Sequence, residues 1–172
     1  MTTVVFETHA TSEDNEAGIA TGWLGGRLSP TGRIQAEELG ARRRQDGISL
    51  VVASDLYRAV ETAEIAFAGT DIPVLLDWRL RECDYGAYNG MPRAVLDAER
   101  LQRVDKPWPR GESWRDAVRR VDSFLDELSG GRMVLIGHVA TRWALEQRVH
   151  GRSVEELAAE EFVWEPGWEY AL

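Results

Sequence analysis

The sequence predicts an α/β fold, a three-layer sandwich with a mostly parallel central sheet. Short apolar runs rich in Val, Ile and Leu alternate along the 172 residues with longer segments of helical periodicity. Continuous apolar runs are typical of strands buried on both faces, and strands that alternate with helices favour parallel pairing. No internal repeat, low-complexity tract or linker divides the chain, so we expect one domain over residues 1–172.

Composition and charge argue against some classes of binding partner. With a net charge of -9 and a pI near 4.9, the chain lacks the excess of Lys and Arg that nucleic-acid binding requires. The N-terminus has no basic start followed by an apolar core, and no apolar run approaches the length of a membrane span. The single cysteine, Cys83, excludes an internal disulfide and fits a reducing compartment. We therefore expect a cytoplasmic protein with no nucleic-acid or membrane partner.

The first half of the chain is expected to contain three strands and two helices. Residues 3–6 form a β-branched strand, and the following loop, residues 8–28, is long enough to carry function. A capping serine and a proline at the first helical position, Ser29-Pro30, begin a helix that ends near Arg44. The other elements are a strand over 49–53, a helix that is capped by Ser54-Asp55 and reaches Ala66, and a strand over 73–76.

The second half continues this alternation after one irregular stretch, residues 80–90, which is rich in Gly, Tyr and charged residues. Apolar residues spaced by three and four predict an amphipathic helix over 112–128. The most hydrophobic strand, residues 133–136, ends at Gly137-His138. The remaining predictions are a helix within 92–103, a helix over 141–150, a short helix from Ser153 and a terminal hairpin over 162–170.

Four side chains suited to chemistry follow the predicted strands. His9, Arg58 and His138 each lie one to five residues beyond the end of a strand, and Glu82 lies in the irregular stretch after the third. Because the carboxyl ends of parallel strands share one edge of a sheet, we expect these four side chains to meet in one cleft.

This set of side chains suits the cleavage of a phosphate ester. An imidazole can attack phosphorus, cations can offset charge on the phosphoryl oxygens, and a carboxylic acid can protonate the leaving group. A metal site is the weaker alternative, because no pair of histidines has a metal-binding spacing such as i and i+4.

Five motifs follow one another along nearly the whole chain. The first joins His9 and Asn15 to Gly22-Trp23, and the second is Ser54-Asp55-Leu56-Tyr57-Arg58-Ala59. The third is Leu80-Arg81-Glu82 with Tyr85-Gly86, the fourth Gly111-Glu112-Ser113, and the fifth Val134-Leu135-Ile136-Gly137-His138. In this order the motifs resemble those of the histidine phosphatase superfamily, which includes the cofactor-dependent phosphoglycerate mutases.

The resemblance implies a phosphoglycerate mutase-like fold and a role for each residue. His9 would be the phosphorylated nucleophile, Glu82 the proton donor, and Arg58 and His138 ligands of the phosphoryl group. The substrate would be a small phosphomonoester, with inorganic phosphate as product, and no metal or organic cofactor is implied. Further binding groups would be Asn15, Thr21, Gly22, Tyr85 and the backbone at Val139.

The first motif departs from the family pattern. The family has arginine before the nucleophile and glycine after it, whereas this chain has Thr8 and Ala10. Losing one charge-assisted donor to a transferring phosphoryl group costs on the order of 10²–10³ in rate if nothing replaces it. Glu7 also adds a negative charge nearby. The candidates to supply the missing charge are Arg27, Arg81 and Arg142.

Three functions stay open at this point. The first is hydrolysis of a small-molecule phosphomonoester through a phosphohistidine. The second, motivated by Thr8 and Glu7, is a pseudophosphatase that binds a phosphorylated ligand without turnover. Mutase activity is less favoured, by analogy with larger mutases that carry insertions. The abundant tryptophans either pack the helices or form an aromatic wall for a bulky substrate. The sequence leaves the substrate and the oligomeric state open.

Overall fold

The computed structural model describes the whole chain, Met1 to Leu172. Its strands are β1 (Thr2–Thr8), β2 (Ile19–Ala20), β3 (Leu50–Ala53), β4 (Val74–Leu76), β5 (Met91–Pro92), β6 (Gly131–Gly137) and β7 (Trp168–Ala171). Its α-helices are α1 (Glu13–Glu16), α2 (Pro30–Arg43), α3 (Tyr57–Ala66), α4 (Arg93–Glu99), α5 (Trp114–Leu125), α6 (Val139–His150) and α7 (Val154–Ala159).

A five-stranded sheet in the order β4-β3-β6-β1-β7 forms the centre of the molecule. Four of its strands are parallel, and β7 alone is antiparallel, against β1. This arrangement confirms the predicted α/β class with a mostly parallel sheet. Because β1 and β6 are neighbours, with Thr8 opposite Gly137, the residues that follow them leave the sheet side by side.

Helices cover both faces of the sheet, and the side chains of β1 alternate between them. Val4 and Phe6 pack in the larger apolar cluster, with residues of α5, α6 and α7. Val5 packs on the opposite face, with residues of α2 and α3. By the same alternation Thr8 belongs to the face of Val4 and Phe6, and Glu7 to that of Val5.

Serine caps fix the starts of several helices, as the sequence predicts. Ser29 Oγ accepts from Gly32 N at 3.1 Å, with Pro30 as the first helical residue. Ser153 forms a capping box with Glu156 at the start of α7. The residue that caps α3 is Leu56, which has no side-chain hydrogen bond in that role, so the cap predicted at Ser54-Asp55 is wrong.

The predicted terminal hairpin is also wrong. The last strand, β7, pairs with β1 at the start of the chain rather than with a neighbouring segment. This pairing buries Tyr170, whose hydroxyl donates to Glu146 Oε1 at 2.7 Å. The turn residues Pro166-Gly167 suggested a local partner, but the partner lies far away in the sequence.

Two further segments differ from the sequence prediction. The loop over 8–28 contains helix α1, which begins with a capping box between Ser12 and Asn15, and strand β2, which pairs with β5. Strand β4 is the exposed edge of the sheet rather than a buried strand. None of the helices combines the length and the apolar character needed to span a membrane.

Candidate active site

A cavity of about 680 Å³ opens at the carboxyl ends of β1, β3 and β6. The four residues predicted to meet there, His9, Arg58, Glu82 and His138, all line it. Of the predicted binding residues, those that also line it are Thr8, Asn15, Thr21, Gly22, Tyr85, Val139 and Arg142. Arg27 and Arg81 are not among the lining residues.

His9 follows β1 directly and is held in one tautomer. Its backbone N–H donates to Gly137 O at 3.0 Å, which continues the pairing with β6. Its ring Nδ1 lies 2.7 Å from Ala10 O, and a carbonyl only accepts, so Nδ1 carries the proton. Nε2 is therefore the atom with the free electron pair, and it accepts a long bond of 3.4 Å from Arg58 Nε. Burial, and secondarily the charge of Arg58, lower the pKa of His9 to about 3, so the ring is neutral at pH 7.

His138 follows β6 and has the opposite tautomer. Arg58 Nη2 lies 3.4 Å from His138 Nδ1, and a guanidinium only donates, so Nδ1 accepts and Nε2 carries the proton. That Nε2–H group is buried and has no hydrogen-bond partner. Burial, with the charge of Arg58, holds the pKa of His138 well below its usual range. The two imidazole rings lie 5.0 Å apart between centroids, so both address the same space.

Arg58, in the first turn of α3, links the two histidines. Its side chain is buried, and Nη2 also donates to Gly22 O at 2.9 Å. No carboxylate lies within ion-pair distance of it. Gly22 has a φ of +56°, and a Cβ there would meet Asn89 Oδ1 at 1.9 Å, so only glycine fits the turn that aims this carbonyl at Arg58.

Glu82 lies buried at the start of α6, against backbone donors. Its Oε1 accepts from Cys83 N at 2.9 Å and Ala140 N at 3.2 Å, and its Oε2 accepts from Val139 N at 3.3 Å. Burial raises the pKa of this carboxyl, against the opposing effects of these donors and of Arg58. A carboxyl group with a raised pKa that lines the same cavity as two imidazoles is suited to donate a proton.

The predicted binding residues also shape the loop over the cavity. Asn15 lines the cavity while its Oδ1 accepts from Ser12 N at 2.9 Å in the cap of α1. Thr21 Oγ1 donates to Asp14 Oδ2 at 2.7 Å. Tyr85 is buried with its ring edge-on to Trp114, which also lines the cavity.

The aromatic residues divide between the two roles that the sequence left open. The rings of Trp114 and Trp143 pack at a tilt with their centroids 4.5 Å apart, and both line the cavity, as does the half-exposed Trp164. Trp108 is fully buried in the core, which is a packing role. The cavity therefore has an aromatic wall built partly from core residues.

Glu7 does not face the cavity as a free charge. It is buried on the α2 face of β1, where Arg43 Nε lies 2.8 Å and Arg42 Nη2 3.2 Å from its carboxylate oxygens. Arg42 also lines the cavity, and sequence reasoning missed it because a basic run at a helix end is usually solvated. The signal was Glu7 itself, since a buried acid at the end of an apolar strand needs a cation.

The three predicted substitutes for an arginine at position 8 lie in different surroundings. Arg27 has a side chain that is 73% exposed and pairs with Glu13 at 3.7 Å. Arg81 forms a two-pronged pair with Asp55, at 2.7 Å for each bond. Only Arg142 lines the cavity.

Comparison with known proteins shows which proteins this chain resembles. Residues 4–162 match the family model of the histidine phosphatase superfamily (branch 1). A putative phosphoserine phosphatase 2 of Hydrogenobacter thermophilus is 30% identical over 160 residues, which cover 87% of this chain and 79% of that protein. The phosphoglycerate mutase of Candida albicans is 40% identical over 99 residues, but the match covers 55% of this chain and only 40% of that protein.

Solved structures agree with the sequence matches. A mycobacterial glucosyl-3-phosphoglycerate phosphatase, solved in complex with VO3, superposes with a TM-score of 0.78 at 30% identity. The superposition covers 91% of this chain and 86% of that one. The relatives thus include both phosphatases and mutases.

Proposed function

Because the chain belongs to the histidine phosphatase superfamily, we propose that it hydrolyses a small phosphomonoester through a phosphohistidine formed on His9. The observation that carries this proposal is the pair of opposite tautomers at the cavity floor. His9 presents a free electron pair at Nε2, and His138 presents an unpartnered N–H. One ring is set to attack phosphorus and the other to bind a phosphoryl oxygen.

In the first step, His9 Nε2 attacks phosphorus and the bond from phosphorus to the ester oxygen breaks. Protonated Glu82 gives its proton to the departing oxygen, which leaves as an alcohol. Burial of Glu82 favours the protonated form needed here. The products of this step are a phosphohistidine at His9 and a carboxylate at Glu82.

Charge on the equatorial phosphoryl oxygens is offset by groups already in place. Arg58 lies between the two imidazoles and has no carboxylate partner. The buried His138 Nε2–H group has no hydrogen-bond partner in the protein, so a phosphoryl oxygen that accepts from it displaces no protein group.

In the second step, Glu82 acts as the base. The carboxylate takes a proton from water while the water oxygen attacks phosphorus, and the bond from phosphorus to Nε2 breaks. Inorganic phosphate leaves, His9 regains its electron pair and Glu82 is protonated again. Every proton and electron pair comes from these residues, the ester and water, so the proposal includes no metal or organic cofactor.

The proposed substrate is small rather than polymeric. The net charge of -9 opposes binding of a polyanion, whereas the cavity of about 680 Å³ accommodates a metabolite-sized ester. Phosphoserine and glucosyl-3-phosphoglycerate, named for two relatives, are the first compounds to try. The single cysteine supports a reducing compartment such as the cytoplasm as the place of action.

The direct test combines turnover with trapping. We expect the wild-type protein to hydrolyse 4-nitrophenyl phosphate, to form an acid-labile phosphoenzyme and to bind orthovanadate as an inhibitor. His9→Ala should lose turnover and the phosphoenzyme while keeping its melting temperature. A folded wild-type protein with neither turnover nor phosphoenzyme over a broad panel of esters would contradict the proposal.

The second candidate is a protein that binds a phosphorylated ligand without turnover. The observation that favours it is Thr8, which leaves β1 without a cation at the cavity. On this alternative, inorganic phosphate binds with measurable heat while no ester is cleaved. The same protein preparation, tested by calorimetry and by the assay above, separates the two functions.

A further inference from the structure

We propose that Arg142, on helix α6, supplies the second guanidinium of the phosphoryl site that strand β1 lacks. This inference rests on the proposed function, because it assigns a further binding group to the same cavity.

Charge pairing separates the arginines of the cavity into two groups. Three of the five lining arginines pair with carboxylates: Arg42 with Glu7 at 3.2 Å, and Arg93 and Arg100 with the same Asp97 at 3.5 Å each. Arg58 and Arg142 have no carboxylate within 4.0 Å. A guanidinium held in a cavity without a counter-charge favours an anionic ligand, and Arg58 is one such group.

The backbone of Arg142 ties it to the catalytic end of the cavity. Its N–H donates to His138 O at 3.2 Å in the first turn of α6. The side chain is half-buried, and its Nε is buried without a hydrogen-bond partner. An unsatisfied charged donor beside the cavity gains a bond when a phosphoryl oxygen arrives.

Stacking holds the guanidinium in one place. Its carbon lies 4.6 Å from the Trp168 ring centroid and 5.9 Å from that of Phe162. A guanidinium that lies over aromatic faces can still donate hydrogen bonds, because its N–H groups point outward in the plane of the guanidinium. Stacking therefore restricts the side chain without an ion pair, and Nε keeps no hydrogen-bond partner although the guanidinium also contacts the Tyr170 hydroxyl.

The position of Trp168 shows on which side of β1 this guanidinium lies. Trp168 is opposite Phe6 in the sheet, and their ring centroids are 5.6 Å apart. Thr8 follows Phe6 on the same face of β1 and lines the cavity. Arg142 thus lies over the face from which a longer side chain at position 8 would project.

The other cations near the first motif do not fit this role. Arg42 also has a buried Nε without a partner, but it approaches from the opposite face of β1, where its Nη2 pairs with Glu7. Arg27 and Arg81 lie outside the cavity lining and are paired with Glu13 and Asp55. Arg142 is the one cation that is both free of a carboxylate and on the face of Thr8.

The test is a cycle of substitutions at positions 142 and 8. We expect Arg142→Gln to lower kcat/KM for 4-nitrophenyl phosphate by about 10²-fold, the range for losing one charge-stabilising donor. Adding Thr8→Arg to Arg142→Gln should raise kcat/KM by about tenfold or more. The same substitution in the wild type should raise kcat/KM far less, because the effects of two residues that share one function are not additive. Arg119→Gln, which removes a 72%-exposed arginine on α5, is the matched control and should leave the rate unchanged.

A binding measurement keeps this inference separate from the proposed function. Orthovanadate and inorganic phosphate, titrated by calorimetry, should bind Arg142→Gln at least about tenfold more weakly than wild type, whether or not the wild type turns over esters. A protein without turnover that shows this loss would support the anion site and end the catalytic proposal. Wild-type affinity in Arg142→Gln, or no gain from Thr8→Arg in that variant, would overturn the role of Arg142.

Folding of the variant is checked by its melting curve. If Arg142→Gln melts well below wild type, Arg142→Met decides, because its unbranched chain keeps the apolar packing on Trp168. The same loss of anion affinity in a stably folded Arg142→Met supports the assignment. An unchanged affinity refutes it.

Discussion

The neighbouring strands β1 and β6 are each followed directly by a histidine, yet the two histidines present opposite chemical groups to one cavity. At the end of β1 the partner of His9 Nδ1 is a carbonyl, so the free electron pair is at Nε2. At the end of β6 the partner of His138 Nδ1 is a guanidinium, so Nε2 carries a proton. One hydrogen bond on the far side of each ring therefore decides which ring presents a free electron pair to the cavity and which presents an N–H group.

The two strand ends also differ in the charges around them. At the end of β1 the neutral Thr8 lines the cavity, while the acid Glu7 is turned away and paired with arginines. Beyond β6 come the backbone donors that hold Glu82, and Arg142 one turn later. Helix α6 thus brings backbone N–H donors and a guanidinium to the cavity, which the end of β1 does not provide.

The largest expected effect separates the two histidines. His9→Ala should lower kcat by on the order of 10⁴–10⁶, as for other removed nucleophiles, with no phosphoenzyme. His138→Ala should lose about 10²–10³ in kcat, since it removes one donor to the phosphoryl group, and should still form a phosphoenzyme. Rapid-quench assays measure both, and a phosphoenzyme in His9→Ala would reverse the assignment of the two strands.

The next effect depends on the leaving group. Glu82→Gln should lower kcat/KM for an alkyl phosphate by about 10²–10⁴, because the alkoxide then leaves without a proton. With 4-nitrophenyl phosphate the first step needs no acid, so the variant should give a burst of nitrophenol and accumulate phosphoenzyme. Equal losses for both esters, with no burst, would contradict the acid and base roles of Glu82.

The pH dependence should follow from the same groups. In the proposed reaction Glu82 acts when protonated, and its pKa is raised, so kcat/KM for an alkyl phosphate should fall about tenfold per pH unit above that pKa. His9 acts when unprotonated, so a loss on the acid side should begin only near its pKa of about 3. The phosphate ester itself ionises near pH about 6, whichever variant is assayed. The pH profile of the wild type is therefore compared with that of Glu82→Gln, in which the fall in kcat/KM at high pH, the basic limb, should be absent. A basic limb that survives in Glu82→Gln would assign it to another group.

The smallest expected effect is on stability at β1. Glu7→Gln should lower the free energy of unfolding by about 1–3 kcal/mol, because it removes a buried charge that pairs with Arg42 and Arg43. Urea unfolding measures this. Glu13→Gln, in an exposed pair at 3.7 Å, is the control and should change stability by less than about 0.5 kcal/mol. Equal effects of the two substitutions would show that the Glu7 pairs are not stabilising.

Much of the site could be predicted from the sequence for a topological reason. Parallel strands deliver the residues after them to one edge, so His9, Arg58 and His138 were expected together, and they line one cavity. The last strand was not predictable in the same way, because β7 pairs with the first strand and its turn residues indicate only a local bend.

Which charged residues form ion pairs could not be predicted from the sequence either. The pairing of Glu7 with Arg42 and Arg43 depends on how α2 packs against β1. Arg142 has no ion-pair partner because none of the acidic residues that line the cavity lies within 4.0 Å of it, and this depends on the folded arrangement of the chain. Sequence alone could name Arg142 as a candidate but could not distinguish it from Arg27 or Arg81.

The most direct test of the account is the position of phosphorus on the phosphoenzyme. In Glu82→Gln treated with 4-nitrophenyl phosphate, ³¹P NMR distinguishes phosphate on Nε2 from phosphate on Nδ1, and peptide mapping by mass spectrometry identifies the residue. The tautomer set by Ala10 O predicts phosphorus on Nε2 of His9. Phosphorus on Nδ1, or on any residue other than His9, would contradict the account.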